Sequence, residues 1–187
     1  MKKLAVFASG NGTNFQVILD AAEQGRLHAS VELLVSDQLD AFAIKRAESA
    51  GIPCFVFSAK QYSAKAAYEE EILVHLKEKQ IDFIVLTGYM RLIGSTILQT
   101  FQGRIVNIHP SLLPAFPGKD AIGQAIAAGV KVSGVTIHYV DEGMDTGPII
   151  AQQAVEIAEN ETKTSLQQKI QHVEHQLYPQ VLEKICR

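Results

Sequence analysis

Leu4-Ala5-Val6-Phe7-Ala8-Ser9-Gly10-Asn11-Gly12-Thr13-Asn14 is an apolar run that breaks into a glycine turn and then opens an amphipathic stretch, Asn14–Gln24. A continuous apolar run this short reads as a buried strand, and a strand feeding a helix through a tight turn is the first unit of an α/β protein. The pattern repeats downstream. Apolar runs at Val31–Val35, Cys54–Phe57, Ile81–Leu86 and Arg104–Ile108 read as further buried strands, with helical stretches Ala41–Ala50 and Ser63–Lys79 between them. Gly25 and Gly51 stand where helix C-caps are needed. In the third stretch Tyr68, Ile72 and Leu76 recur at four-residue spacing, with acidic residues early and lysines late, an order that suits the helix dipole. A shorter helix is expected at Ser95–Phe101.

Strands joined by helices imply a parallel sheet, because parallel neighbours need long right-handed crossovers. The next two strands differ. Gly134–Val140 and Pro148–Ile157 are separated by seven residues, too few for a crossover, so they are expected to run antiparallel. A last helix begins near Thr162 or Thr164, the latter at capping-box spacing from Gln167. Its stripe of Leu166, Ile170, Val173 and Leu177 is expected to face the sheet, and Pro179 to kink or split it.

The 187 residues fit one domain spanning the whole chain, long enough to bury a core without staples. A net charge of −3 and the absence of any basic run disfavour nucleic acid as the main partner, since phosphate-backbone binding needs clustered Lys and Arg. Cys54 and Cys186 form no CxxC pair, so neither a disulfide framework nor a zinc site is indicated. No stretch is apolar for long enough to span a bilayer, and Met1-Lys2-Lys3 opens no signal-peptide pattern. The expected location is the cytoplasm.

Four clusters carry chemistry. The turn Ser9–Asn14 offers backbone N–H groups at a helix start, an anion site where glycine permits close approach. The dinucleotide fingerprint fails because Phe15 stands where its third glycine belongs, and a Walker A motif fails at Leu113. A phosphate cradle and a plain strand–helix turn both remain open on these residues alone. The second cluster, Asn107-Ile108-His109-Pro110-Ser111-Leu112-Leu113-Pro114, lies at the carboxyl end of the fifth strand, where open α/β sheets hold ligands. Alternation puts Asn107 and His109 on one side. An amide and an imidazole there can both face an oxygen that turns negative as a carbonyl becomes tetrahedral. The third, Asp141-Glu142-Gly143-Met144-Asp145-Thr146-Gly147-Pro148, is the hairpin between the last two strands. It lacks EF-hand spacing, and one of its carboxylates paired with His109 would favour the cationic imidazole. The fourth is Gln171 and Glu174, bordering the apolar stripe of the last helix. Neighbouring His172 and His175 do not form the HExxH zinc arrangement.

Taken together, these motifs resemble the phosphoribosylglycinamide formyltransferases, folate-dependent enzymes of purine biosynthesis. The resemblance runs from the glycine turn to the last helix, and its most specific parts are residues 107–114 and 134–150. It implies a three-layer α/β/α sandwich on a mostly parallel seven-stranded sheet with one antiparallel strand. It implies Asn107, His109 and Asp145 as the catalytic set, and Gly12, Thr13 and Asn14 around the ribonucleotide phosphate with Gln171 and Glu174 nearby. Folate would meet Met90, Arg91, Leu92, Ile93 and Asn107, under a loop of Val140, Asp141, Glu142, Gly143 and Met144, with Lys65 near its glutamate tail. 10-Formyltetrahydrofolate is the implied co-substrate, with no resident cofactor and no metal, on a monomer or homodimer. One departure stands out. After Phe116-Pro117-Gly118 many relatives carry a His-containing segment, whereas this chain has Lys119-Asp120-Ala121-Ile122, so no substrate contact is carried over there.

Rival readings within reach of the same residues are distinguishable. A methionyl-tRNA formyltransferase is longer and adds a basic domain. A formyltetrahydrofolate hydrolase lacks the glycine phosphate turn. A non-enzymatic phosphate- or folate-binding module does not need Asn107, His109 and Asp145 together.

Overall fold

Alternation along the first strand decides which layer each helix joins. In β1 (Lys2–Phe7), Leu4 and Val6 face one side of the sheet, Ala5 and Phe7 the other, and all four are fully buried. A strand buried on both faces requires cover on both. The computed structural model, which describes residues 1–187, supplies it with two apolar layers. One contains Phe15 and Ile18 of α1 (Thr13–Glu23), Ala43 and Ala47 of α2 (Phe42–Ser49), and Leu166 and Ile170 of α6 (Lys163–Cys186). Ile122 and Ile126 of α5 (Ala121–Ala128) pack against the same layer. The other contains Tyr68, Ile72 and Leu76 of α3 (Lys65–Glu78) and Ile97 of α4 (Ser95–Thr100). The result is the three-layer sandwich.

Between the layers lie β2 (Ala29–Ser36), β3 (Cys54–Val56), β4 (Phe83–Leu86), β5 (Ile105–His109), β6 (Val132–Tyr139) and β7 (Ile149–Glu156). With β1 they form one seven-stranded sheet in the order β3-β2-β1-β4-β5-β6-β7. Only β6 opposes the rest: it pairs antiparallel with β5 and with β7, and the other pairs are parallel. The chain leaves β1 in one direction for β2 and β3, then returns to its other side for β4. That reversal opens a crevice at the carboxyl ends of β1 and β4, the place where doubly wound sheets bind ligands.

Helix ends follow local chemistry. Gly25 and Gly51 have φ of +70° and carry the paired C-terminal bonds of a Schellman motif: Arg26 N–H to the Ala21 carbonyl, and Ile52 N–H to the Ala47 carbonyl. Four points differ in detail from the sequence reading or were not read in it. Helix α3 starts at Lys65 rather than Ser63, so its first turn holds no acidic residue and Glu69 turns inward. Of the two starts expected for the last helix, Thr162 is the cap, its hydroxyl accepting the Ser165 N–H, so the capping box is Thr162–Ser165 rather than Thr164–Gln167. Pro179 does not split α6, which runs unbroken from Lys163 to Cys186. The Tyr178 hydroxyl donates to the Leu86 and Val106 carbonyls, at 2.9 and 3.2 Å, and Val181, Leu182 and Cys186 beyond it are buried, so packing outweighs the lost helical bond. Helix α5 is absent from the sequence reading. Its small residues gave no periodic stripe, yet Asp120 caps it by accepting the Gly123 N–H and pairs with Lys163 of α6 at 2.8 Å. The Lys119–Ile122 segment is thus committed to starting a helix.

Candidate active site

Gly12 is the hinge of the first turn. Its φ is +74°, and a Cβ there would lie 2.8 Å from the Ala43 Cβ, so both conformation and space call for glycine. Gly12 is the N-cap of α1 without any side-chain cap, and its carbonyl accepts the Gln16 N–H at 2.9 Å. The N–H groups of Thr13, Asn14 and Phe15 precede that first intrahelical bond and point out of the helix start, an anion-favouring end. Arg46 braces the turn from behind. Its Nε donates to the Asn11 carbonyl at 2.8 Å and Nη2 to Asn11 Oδ1 at 2.7 Å.

The last helix comes to this turn. Gln171 Nε2 donates to Thr13 Oγ1 at 2.9 Å, and Asn14 Nδ2 donates to Glu174 Oε2 at 3.0 Å. Asn14 Oδ1 is buried without a hydrogen-bond partner. Burial pushes the Glu174 carboxyl above the ordinary carboxylate value, partly opposed by the Asn14 hydrogen bond. Two stretches distant in sequence therefore meet as one polar cradle.

A second constellation forms on β5, β6 and the hairpin. Antiparallel register sets Asn107 opposite His138 and His109 opposite Thr136, on the face away from Val106 and Ile108. His109 Nε2 donates to the Phe116 carbonyl at 2.8 Å, and its Nδ1 lies 3.4 Å from Asp145 Oδ2. A ring carrying a proton on each nitrogen satisfies both acceptors. Asp145, with φ of +56°, also accepts the Gly118 N–H at 2.8 Å, which ties the hairpin to the loop after β5. Ser111 holds that loop by donating to the Ala115 carbonyl at 2.6 Å, and the buried Thr136 hydroxyl bridges the Ser111 carbonyl and the Leu113 N–H.

His138 was missed by the sequence reading. Its Nδ1 donates to the Tyr139 carbonyl at 2.8 Å, which leaves the Nε2 lone pair to accept Asn107 Nδ2 at 3.3 Å. Burial holds this imidazole below its ordinary value, against the raising pull of the Tyr139 carbonyl and Asp145. A neutral His138 thus orients the Asn107 amide and leaves its second hydrogen free. The signal available was the alternation Thr136-Ile137-His138, which places His138 on the same face as Thr136.

The other assigned residues divide. Met90 and Leu92 are exposed beside the crevice, so they are not core, whereas Ile93 is buried in the second apolar layer and supports the segment from beneath. Lys65 Nζ donates to the Leu92 carbonyl at 2.8 Å and fastens that segment to α3. Glu69 Oε1 accepts the Gly94 N–H at 2.6 Å from the same helix. In the hairpin, Asp141 Oδ1 accepts the Gly143 N–H and the Thr146 hydroxyl, at 3.0 and 2.6 Å, a turn-forming role. Glu142, Gly143 and Met144 are exposed, and Val140 packs against the second layer. No helix is long and apolar enough to cross a membrane.

An open sheet that gathers an amide, two imidazoles and a carboxylate toward one edge has the parts of an acyl-transferring enzyme. The chain belongs to the formyl transferase family, whose model matches residues 2–182. It is 55% identical to the phosphoribosylglycinamide formyltransferase of Bacillus subtilis (strain 168) over 185 residues, covering 99% of this chain and 95% of that protein. Among solved structures it is similar to glycinamide ribonucleotide transformylase 1 from Geobacillus kaustophilus, with a TM-score of 0.97 and 62% identity over 99% of this chain and 98% of that one. The phosphoribosylglycinamide formyltransferase from Bacillus halodurans gives a TM-score of 0.96 and 58% identity over 98% of this chain and 95% of that one.

Proposed function

We propose that the chain transfers the formyl group of 10-formyltetrahydrofolate to the amine of glycinamide ribonucleotide, in purine biosynthesis. The observation that carries this reading is the meeting of Asn107, His109, His138 and Asp145 on β5, β6 and the hairpin, in a sheet whose first strand leads into the Gly12–Asn14 turn. The turn would hold the nucleotide phosphate through backbone N–H groups, with Gln171 and Glu174 around the ribose. The co-substrate would lie along Met90–Leu92 under the hairpin.

The amine attacks the formyl carbon directly. A new C–N bond forms, the carbonyl oxygen becomes an oxyanion, and the bond from carbon to the folate nitrogen then breaks. The amine loses a proton and the folate nitrogen gains one, with Asp145 relaying through water. Asn107 donates its free amide hydrogen to the oxyanion. His109 adds its positive charge, and direct donation would exchange the Phe116 carbonyl for the substrate oxygen. Holding two substrates in line removes several kcal/mol of barrier, roughly 7–11 kcal/mol in the best-oriented cases. The small-molecule substrates need no resident cofactor in this scheme.

The test is to incubate the protein with 10-formyltetrahydrofolate, with and without glycinamide ribonucleotide. Tetrahydrofolate released only with the nucleotide is the expected result. Equal release without it would make the protein a hydrolase.

Glu174 gives a second measurable outcome. A raised carboxyl pKa means that the stability linked to its proton is present below the unfolded value and is lost as pH rises through the folded one. Glu174→Gln keeps an acceptor for Asn14 and removes the buried charge. The variant is expected to melt about 2–4 °C higher than the parent at pH 8, a difference that shrinks towards pH 4. Its KM for the nucleotide is expected to rise. A lower melting temperature at pH 8 would show that the charge stabilises the fold.

A further inference from the structure

Asp37 follows the last residue of β2 and is 5% exposed. Its Oδ1 accepts the Ser9 hydroxyl at 2.5 Å, and its Oδ2 accepts Arg91 Nε at 2.8 Å and Gln38 Nε2 at 3.2 Å. The Ser9 hydroxyl oxygen in turn accepts the Met90 N–H at 2.9 Å, and the Ser9 N–H reaches the Gly88 carbonyl at 3.3 Å. One carboxylate thereby joins the ends of three neighbouring strands, β2, β1 and β4, at the crevice where the chain reverses direction. On one side of it begins the glycine turn. On the other lies the folate-facing segment.

Arg91 is held through its Nε, with the guanidinium carbon 5.9 Å from the Tyr68 ring centre. Its side chain is 35% exposed, and the guanidinium also interacts with Tyr68. A guanidinium fixed through Nε presents a planar fork of donors in one direction, so an arriving anionic group meets them already oriented.

We propose that Asp37 is the positioning residue shared by both substrate pockets: one oxygen seats Ser9 and the glycine turn, and the other aims Arg91 at an anionic group of the folate co-substrate. This rests on the formyl-transfer reading above. The two oxygens have separable jobs. Asp37→Asn keeps an acceptor for the Ser9 hydroxyl but loses the charge that holds Arg91. Asp37→Ala loses both.

Steady-state kinetics of the full chain test the idea. In Asp37→Asn the KM for 10-formyltetrahydrofolate is expected to rise about 3–10-fold, the cost of ordering one freed, rotamer-rich side chain on binding. The nucleotide KM and the melting temperature are expected to stay near wild type. In Asp37→Ala both KM values rise. Arg91→Met raises the folate KM alone, and adding Asp37→Asn to it brings no further rise, since both act through one interaction. The proposal is overturned if Asp37→Asn leaves the folate KM unchanged, if both KM values and the melting temperature move together in that variant, or if the Asp37→Asn and Arg91→Met effects multiply. Wild-type protein without nucleotide-dependent transfer would overturn the functional reading itself, and this proposal with it. An active wild type with an unaltered Asp37→Asn folate KM overturns the role of Asp37 alone.

Discussion

Asp145→Asn is expected to lower kcat about 10²–10³-fold, the range seen when one preorganised electrostatic group is removed from an acyl-transfer site. The fold should scarcely notice. Asparagine tolerates the positive φ of +56° at this position, and its side-chain oxygen can still accept the Gly118 N–H. What disappears is the charge, 3.4 Å from His109 Nδ1 and 3.7 Å from His138 Nε2. Without it the His109 ring loses its carboxylate partner, and in the proposed mechanism no carboxylate remains to accept the amine proton through water. A side chain that only tied the hairpin to the loop would behave otherwise: Asp145→Asn would then retain near-normal kcat. Stopped assays at saturating substrates, with thermal melts of both proteins, separate the two outcomes.

The layout of strands was legible because burial on both faces leaves continuous apolar runs such as Leu4–Ala8, and each is separated from the next by a stretch of helical spacing. Glycines at 25 and 51 announced helix ends because only a left-handed residue completes the paired bonds there. Helix α5 was not legible, since Ala121–Ala128 is nearly all small or apolar and has no polar face to set a period. The start of α3 lay two residues later than expected, because no side chain caps the helix and Lys65 begins it.

Within the candidate site, Asn107 and His109 stood out because strand alternation and a strand end together place them at the crevice. Their long-range partners did not. Asp145 could be offered only as one of three hairpin carboxylates until the family resemblance singled it out. The structure gives Asp141 to the turn and Asp145 to His109. His138 and Asp37 depend on register across strands, 31 residues apart for the contact with Asn107 and 28 for that with Ser9, and no local pattern encodes such pairings. Polar residues at the carboxyl ends of strands were the usable clue, and both fit it.

Asn107→Ala is expected to reduce kcat about 10²–10³-fold, because in the proposed mechanism its free amide hydrogen donates to the oxyanion. Asn107→Asp should be no better, although it is nearly isosteric. It sets an acceptor where a negative oxygen must form, and it confronts the lone pair of a neutral His138 with another oxygen in place of a donor. The same geometry fixes a pH dependence for the wild type. Protonated His138 cannot accept from Asn107, so turnover is expected to fall as pH drops below the ordinary imidazole value of 6.5, with the midpoint displaced downward because burial disfavours the charged ring. His138→Asn removes the titrating group and is expected to flatten that acidic limb while lowering kcat at pH 8. An Asn107→Asp enzyme with wild-type kcat, or an acidic limb unchanged in His138→Asn, would mean that the amide is held by something other than this ring and that the oxyanion is bound elsewhere.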